Sequence, residues 1–72
     1  MSLRNHGYKE VIEFLAKKGF YLQRQKGSHL FYRHPDGRTT VVPRHNVIAV
    51  RTLKSIFDQT QLDEKEFIDF CK

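Results

Sequence analysis

Apolar positions recur at helical spacing near both ends of the chain and alternate with polar positions in between. The first apolar stripe predicts a helix over residues 8–18, with Gly19 at the place where a left-handed cap is needed. A second stripe predicts a helix over residues 49–60. Asp63 and Glu66 have the spacing of a helix-capping pair, which predicts a third, shorter helix. The chain is therefore predicted to begin and end in helices.

The middle of the chain has the period-two pattern that is typical of strands. Strands are predicted over residues 20–26, 29–34 and 38–42. The turns between them come from Gly27–Ser28 and from residues 35–37, both rich in turn-forming residue types. Such short connections make neighbouring strands antiparallel.

The alternation assigns faces in the first strand only. Phe20 and Leu22 fall on one face there, and Tyr21, Gln23 and Gln25 fall on the other. In the second strand both faces carry aromatic or aliphatic groups, so the alternation does not show which face of that strand packs against the core. Pro43 indicates that the third strand lies at the edge of the sheet, because proline cannot donate to a strand ladder.

Helix, three-stranded meander, helix and short helix together predict an α+β fold. Its order, α-β-β-β-α with a short C-terminal helix, is that of double-stranded-RNA-binding domains. A chain of 72 residues is expected to form one domain, with its core within about residues 8–70. We expect a two-layer sandwich in which the amphipathic helices cover one face of the sheet and the other face stays open.

The net charge of +5 is unevenly distributed along the chain. Residues 17–54 contain nine Lys or Arg and one acid, whereas residues 55–72 contain five acids and two lysines. The middle of the chain is thus expected to form a cationic surface, for which polyanions are natural partners. A basic face that only aids solubility is the alternative.

Several features bear on location. There is no apolar run long enough to span a membrane and no pattern of a secretory signal. The single Cys71 cannot form an intramolecular disulfide, and we expect it to be a small apolar residue of the last helix. These features favour a cytoplasmic protein with no membrane association.

His29 is the residue that most clearly points to chemistry. It follows the Gly27–Ser28 turn at the start of a predicted strand, and the segment around it is basic. Imidazole has an ordinary pKa of about 6.5 and can exchange protons near neutral pH. RNA provides its own nucleophile, the 2′-hydroxyl, so one general base beside cationic groups suffices to begin cleavage. A histidine that only hydrogen-bonds its own turn remains the alternative.

Other side chains are expected to have supporting or structural roles. His34, just before the second turn, is expected to be structural, and His45 to be a cap or packing residue unless it assists catalysis. Tyr21, Phe31 and Tyr32 are candidates to stack on bases, although some of them must fill the core. His29, His34 and His45 are scattered along the chain and Cys71 has no cysteine partner, so no metal site is predicted.

Five ordered blocks of the sequence resemble the HicA family, the toxins of HicA–HicB toxin–antitoxin modules. The blocks are residues 10–20, 25–29, 34–37, 42–46 and 52–56, within a match of about residues 8–70. Arg51 departs from the pattern, because many relatives have glycine there.

The resemblance implies a double-stranded-RNA-binding-like fold and a metal-independent endoribonuclease that cleaves messenger RNA. It implies His29 as the catalytic residue, no cofactor, and a HicB-like antitoxin as partner in a hetero-oligomer. The supporting residues at the RNA site are then expected to be Arg24, Lys26, Gly27, Ser28, Arg33, Arg44 and His45. A non-catalytic RNA-binding module and a subunit that docks only an acidic protein are the rival interpretations.

Overall fold

The computed structural model describes residues 2–72, which form a helix, three antiparallel strands and two further helices. The elements are α1 Tyr8–Lys17, β1 Tyr21–Lys26, β2 His29–Arg33, β3 Thr39–Pro43, α2 Val50–Thr60 and α3 Glu64–Phe70. The predicted α+β class and element order are confirmed, and the predicted boundaries of α1, α2 and the strands differ from the observed ones by at most one residue.

A single sheet with the strand order β1-β2-β3 places β3 at an edge, as Pro43 indicated. The registers between strands show which side chains share a face, because directly paired residues of an antiparallel sheet lie on the same side. Leu30 and Tyr32 of β2 are buried and are paired with Val42 and Thr40 of β3, which are also buried. This face, the core face, is the one that the helices cover.

The helices supply most of the hydrophobic core. Helix α1 buries Val11, Phe14 and Leu15, and helix α2 buries one side that includes Leu53 and Ile56. Both helices pack against β3. The two-layer arrangement expected from their amphipathic stripes is therefore present.

Helix α3 is joined to this core through Phe67, which is fully buried. Its ring lies 5.3 Å from that of Phe14 and 5.1 Å from that of Phe57, between ring centroids. The helix begins as predicted, with the Asp63 carboxylate accepting a hydrogen bond from the backbone N–H of Glu66 at 3.3 Å. The short helix is therefore a third part of the helical layer.

The predicted division of faces in β1 is wrong. The register shifts between Leu22 and Arg24, which makes Gln23 an extra, bulged residue. Gln25 consequently pairs with Leu30 on the core face, together with Leu22 rather than with Tyr21. Simple alternation fails here because the bulge reverses the faces of every residue that follows it.

Strand β1 is also less covered than alternation suggested. All six of its residues are exposed, and Leu22 keeps 48% of its surface accessible although it is on the core face. Phe20, just before the strand, is buried instead. The helical layer is therefore centred on the other two strands.

Candidate nucleic-acid interface

The uncovered face of the sheet, called the open face below, carries the predicted catalytic histidine. Pairing places nine strand residues on it: Tyr21, Arg24, Lys26, His29, Phe31, Arg33, Thr39, Val41 and Pro43. None of the nine is acidic, and three of them are Lys or Arg. Among the strand residues, the cationic charge is therefore gathered on this one surface.

His29 lies at the end of the β1–β2 hairpin and is exposed. It is directly paired with Lys26 across the two-residue turn formed by Gly27 and Ser28. Gly27 has a φ of +58° while Ser28 has a negative φ, which is the pattern of a type II′ hairpin turn. The turn therefore fixes the pairing that puts Lys26 and His29 on the same face.

The alternative interpretation of His29 requires a hydrogen bond between its ring and its own turn. Within residues 2–72 its ring makes no hydrogen bond, and the turn carbonyl of Gly27 instead accepts from the side-chain amide of Gln25 at 3.2 Å. Both ring nitrogens are therefore available to a ligand on the open face.

The loop after β3 lies against the same turn. His29 is paired with Pro43 on its other side, and the backbone N–H of Arg44 donates to the carbonyl of Ser28 at 2.7 Å. The Gly-Ser-His segment and the Pro-Arg-His segment, separate in the sequence, are thus adjacent. This junction is the centre of the candidate site.

Arg24 and Phe31 form a second feature of the open face. They are directly paired, and the guanidinium carbon of Arg24 lies 4.4 Å from the centroid of the Phe31 ring. This is cation–π geometry, and it holds a positive charge over an aromatic ring. Tyr21, which is 47% exposed, also lies on this face, paired with Arg33.

Tyr32 belongs to the core. Its side chain lies on the core face with only 8% of the residue accessible, and burial raises the pKa of its hydroxyl. Of the three aromatic residues considered for stacking, only Tyr21 and Phe31 remain available to a base. The structure thus shows which side chains of β2 face the core, which the alternation did not decide.

The Arg44 side chain turns away from the strands towards the start of α1. Its Nε donates to the hydroxyl of Tyr8 at 3.5 Å, and its guanidinium lies 5.8 Å from the Tyr8 ring centroid. The hydrogen bond between the two side chains lowers the pKa of Tyr8 and raises that of Arg44, and the charge of each group acts on the pKa of the other in the same direction. Sequence reasoning missed Tyr8 here, because α1 and the β3–α2 loop are far apart along the chain.

His45 and His34 are placed differently from His29. The carbonyl of His45 accepts from the backbone N–H of Tyr8 at 3.0 Å and so satisfies the first turn of α1, while its side chain is exposed. His34 packs edge-on against Phe20 at 5.0 Å, and its Nδ1 accepts from the backbone N–H of Asp36 at 3.1 Å. His34 has the contacts of a structural residue, as expected.

Within residues 2–72, the side chains that could together hold a metal ion lie away from the open face. Among the described residues, the side chains whose ligand atoms converge are His6, Glu10 and Cys71, near the start of α1 and the end of α3. Sequence reasoning did not find this group.

The protein is therefore of the α+β class, with one sheet face that is uncovered and basic. Residues 8–62 match the family described as the HicA toxin of bacterial toxin–antitoxin systems, so the chain belongs to that family. No curated protein matches the chain. Over residues 2–72, no helix combines the length and apolar character that crossing a membrane requires.

Proposed function

We propose that this toxin is an endoribonuclease that cleaves messenger RNA at its open face. The observation that carries the proposal is the exposed imidazole of His29, paired with Lys26 on a face that gathers cations and lacks acids among its strand residues. Family membership and the helix–meander–helix order support the same activity.

In the proposed reaction, neutral His29 takes the proton of the 2′-hydroxyl as general base. The 2′-oxygen then forms a bond to phosphorus as the bond between phosphorus and the 5′-oxygen breaks. The leaving 5′-oxygen takes up a proton from a general acid, for which His45 is the candidate, or from water. The products are a 2′,3′-cyclic phosphate and a 5′-hydroxyl, and no metal ion takes part.

The cationic groups have separate parts in this proposal. Lys26 stabilises the negative charge that develops on the phosphoryl oxygens. Arg24, held over Phe31, and Arg33 bind flanking phosphates. Tyr21 offers a surface on which a base stacks, and a base can stack on Phe31 only where it displaces the Arg24 guanidinium from the ring. Gly27 and Ser28 hold the turn, and Arg44 fastens the neighbouring loop to it.

We propose a HicB-like antitoxin as the protein partner, in a cytoplasmic hetero-oligomer that keeps the toxin inactive. The basic open face supports this, because an inhibitor that covers it removes His29 and the phosphate-binding cations from RNA together. The whole chain, residues 1–72, is proposed to be one domain.

The test compares the wild type with His29→Ala and His29→Gln, using a labelled RNA in EDTA. A general base contributes roughly 10²–10⁴-fold, so cleavage falls by about that factor while RNA affinity stays within about threefold. Lys65→Ala, on the exposed side of α3, is the control that retains cleavage.

Attack by the 2′-hydroxyl is tested separately, through a modified substrate and the ends of the RNA products. RNA with a single 2′-deoxy substitution at the cleavage site should stay intact, and the products should carry cyclic or 3′-phosphate ends. Products with 5′-phosphate ends would refute the attack by the 2′-hydroxyl. A wild type that binds RNA but never cuts it would favour the non-catalytic binding module.

A further inference from the structure

Three potential metal ligands of different chemical type converge where the two ends of the chain meet. A ring nitrogen of His6, a carboxylate oxygen of Glu10 and the Sγ of Cys71 all lie within 4.8 Å of one another. His6 precedes α1, Glu10 is in its first turn, and Cys71 is the C-cap of α3. All three residues are partly buried.

The spacing of these atoms is close to that of a tetrahedral zinc site. Bond lengths of about 2.0–2.3 Å to nitrogen, oxygen and sulfur place tetrahedral ligand atoms roughly 3.3–3.6 Å apart. The distance from His6 Nδ1 to Glu10 Oε1 is 3.3 Å. Small side-chain movements suffice to bring Sγ to the same separation.

The imidazole of His6 is oriented by its second nitrogen. Nε2 lies 3.0 Å from the carbonyl oxygen of Ser2, which can only accept a hydrogen bond, so Nε2 carries the proton. In the neutral ring, Nδ1 then directs a lone pair towards the Glu10 carboxylate, which is also an acceptor. A backbone carbonyl that holds the distal N–H is the arrangement commonly found behind metal-bound histidines.

The ring of His6 is also held in place by packing. It makes an edge-on contact with Phe67 at 5.0 Å between centroids. The carbonyl of His6 accepts from the N–H of Ile48 at 2.8 Å, and the N–H of Cys71 donates to the Phe67 carbonyl at 3.1 Å. Two of the three ligands are thus fixed to the same part of the core, so little ordering is needed to bind an ion.

We propose that His6, Glu10 and Cys71 bind a divalent transition-metal ion of the zinc class. One nitrogen, one carboxylate oxygen and one thiolate suit Zn²⁺ better than the hard cations Mg²⁺ and Ca²⁺. Three protein ligands leave a fourth position for water or for a side chain of a partner. The ion joins the segment before α1 to the end of α3, and it plays no part in the proposed RNA cleavage.

Without an ion, the same atoms can form a hydrogen-bonded network. Burial, reinforced by the interaction of the thiol with the Glu10 carboxylate and by the charge of that carboxylate, raises the pKa of Cys71 to about 12. Burial opposes the change, but interactions with the Cys71 thiol and the backbone N–H of Gly7 lower the pKa of Glu10, and His6 adds to this effect when both of its ring nitrogens carry a proton. This network is the alternative that the experiment must exclude.

The test uses the full chain, freed of metal and kept reduced with a phosphine. Addition of Co²⁺ should produce a thiolate charge-transfer band that saturates at one equivalent and disappears when Zn²⁺ is added. Zn²⁺ in tenfold excess over its dissociation constant should raise Tm by at least about 5 °C, whereas Mg²⁺ should not. Cys71→Ser and Glu10→Gln should lose both effects.

Asp58→Asn, which removes an exposed carboxylate from α2, is the matched control and should keep both. Far-ultraviolet circular dichroism checks that each variant folds. Should a variant fail to fold, the wild type alone decides the matter, because Zn²⁺ should slow alkylation of Cys71 by at least about tenfold. Absence of the thiolate band, or equal alkylation with and without Zn²⁺, would overturn the proposal in favour of the hydrogen-bonded network.

Discussion

Lys26 and His29 are opposite each other at the closed end of the β1–β2 hairpin, and both side chains lie on the uncovered face of the sheet. Two local features produce this relationship. The Gly27–Ser28 turn sets the pairing of these two residues, and the bulge at Gln23 allows β1 to continue in register from there. The candidate site therefore depends on backbone geometry as much as on residue type.

The bulge leads to a prediction that uses two deletions of equal size. Deletion of Gln23 removes the extra residue and leaves Arg24 opposite Phe31, so RNA affinity and its salt dependence should stay close to those of the wild type. Deletion of Gln25 also removes the bulge but brings Gln23 opposite Phe31 and moves Arg24 to the core face. The slope of log affinity against log salt should then fall by about 0.7, the value for one lost phosphate contact on single-stranded RNA.

Fluorescence anisotropy with a short single-stranded RNA, at several salt concentrations, measures both deletions. Arg24→Ala should reproduce the loss caused by deletion of Gln25. If both deletions changed the slope equally, the placement of Arg24 on the open face would not be what matters for RNA binding.

Strand β1 also shows which features of the fold can be predicted from local sequence signals and which cannot. The strand itself was predictable, because period-two alternation and the Gly-Ser turn are local signals. Its faces were not, because the bulge depends on how β1 pairs with β2, and one extra residue inverts the pattern. The predicted first face contained Phe20 and Leu22, and simple alternation would have added Arg24 and Lys26 to that covered side.

Contacts between residues far apart in the sequence could not be predicted either. Arg44 was predicted at the site, but its bond to Tyr8 joins α1 to the β3–α2 loop and has no local signal. His6 and Cys71 lie near opposite ends of the chain and meet only because α3 packs beside α1. Residue type and spacing made His29 a candidate, whereas only the fold shows that Pro43 and the backbone of Arg44 lie beside its turn.

A substitution in the turn beside His29 should lower both stability and RNA cleavage. Gly27→Ala meets no atom within 4 Å, so its cost comes from the positive φ alone. This positive-φ conformation costs a residue with a Cβ about 1–3 kcal/mol, partly offset by the lower entropy of the unfolded chain, so the unfolding free energy should fall by about 1–2 kcal/mol. Because the turn sets the place of His29, kcat/KM for RNA cleavage should fall by about tenfold or more.

Gly37→Ala is the matched control, since Gly37 also has a positive φ and open space around it. It lies in the turn at the other end of β2. Urea unfolding should show a similar loss of stability, while cleavage by the folded protein should be unchanged. Equal losses of activity in both variants would argue against a positioning role for Gly27.

The Asp36 turn predicts a dependence of stability on pH. A hydrogen bond from the backbone N–H of Arg38, with the charges of Arg38 and His34, lowers the pKa of Asp36 below its ordinary value of 3.8. Since the folded state favours the carboxylate, its contribution is present above that ordinary value and is lost as pH falls through the lower, folded-state pKa. Asp36→Asn should therefore be less stable than the wild type at pH 6, and the difference should shrink in acid.

Urea unfolding between pH 2 and 6, roughly the range over which such a carboxylate titrates, measures this convergence. A carbon-detected NMR titration should give the Asp36 pKa directly, and Arg38→Gln should raise it while leaving the backbone bond in place. Parallel stability curves for the wild type and Asp36→Asn would show that the turn contributes nothing through its charge.

Helix α3 lies beyond the residues that match the family, which end at 62, yet it supplies a fully buried aromatic ring to the core. Phe67 contacts Phe14 and Phe57 edge-on or tilted, so its removal leaves a cavity lined by rings. Phe67→Ala should lower the unfolding free energy by about 3–5 kcal/mol in urea, the usual range for a buried phenylalanine. Lys65→Ala, exposed on the same helix, should change it by less than about 0.5 kcal/mol. A cost below about 1 kcal/mol for Phe67→Ala would mean that α3 is not part of the cooperative fold, and the His6–Glu10–Cys71 group would then lose the support that brings Cys71 into place.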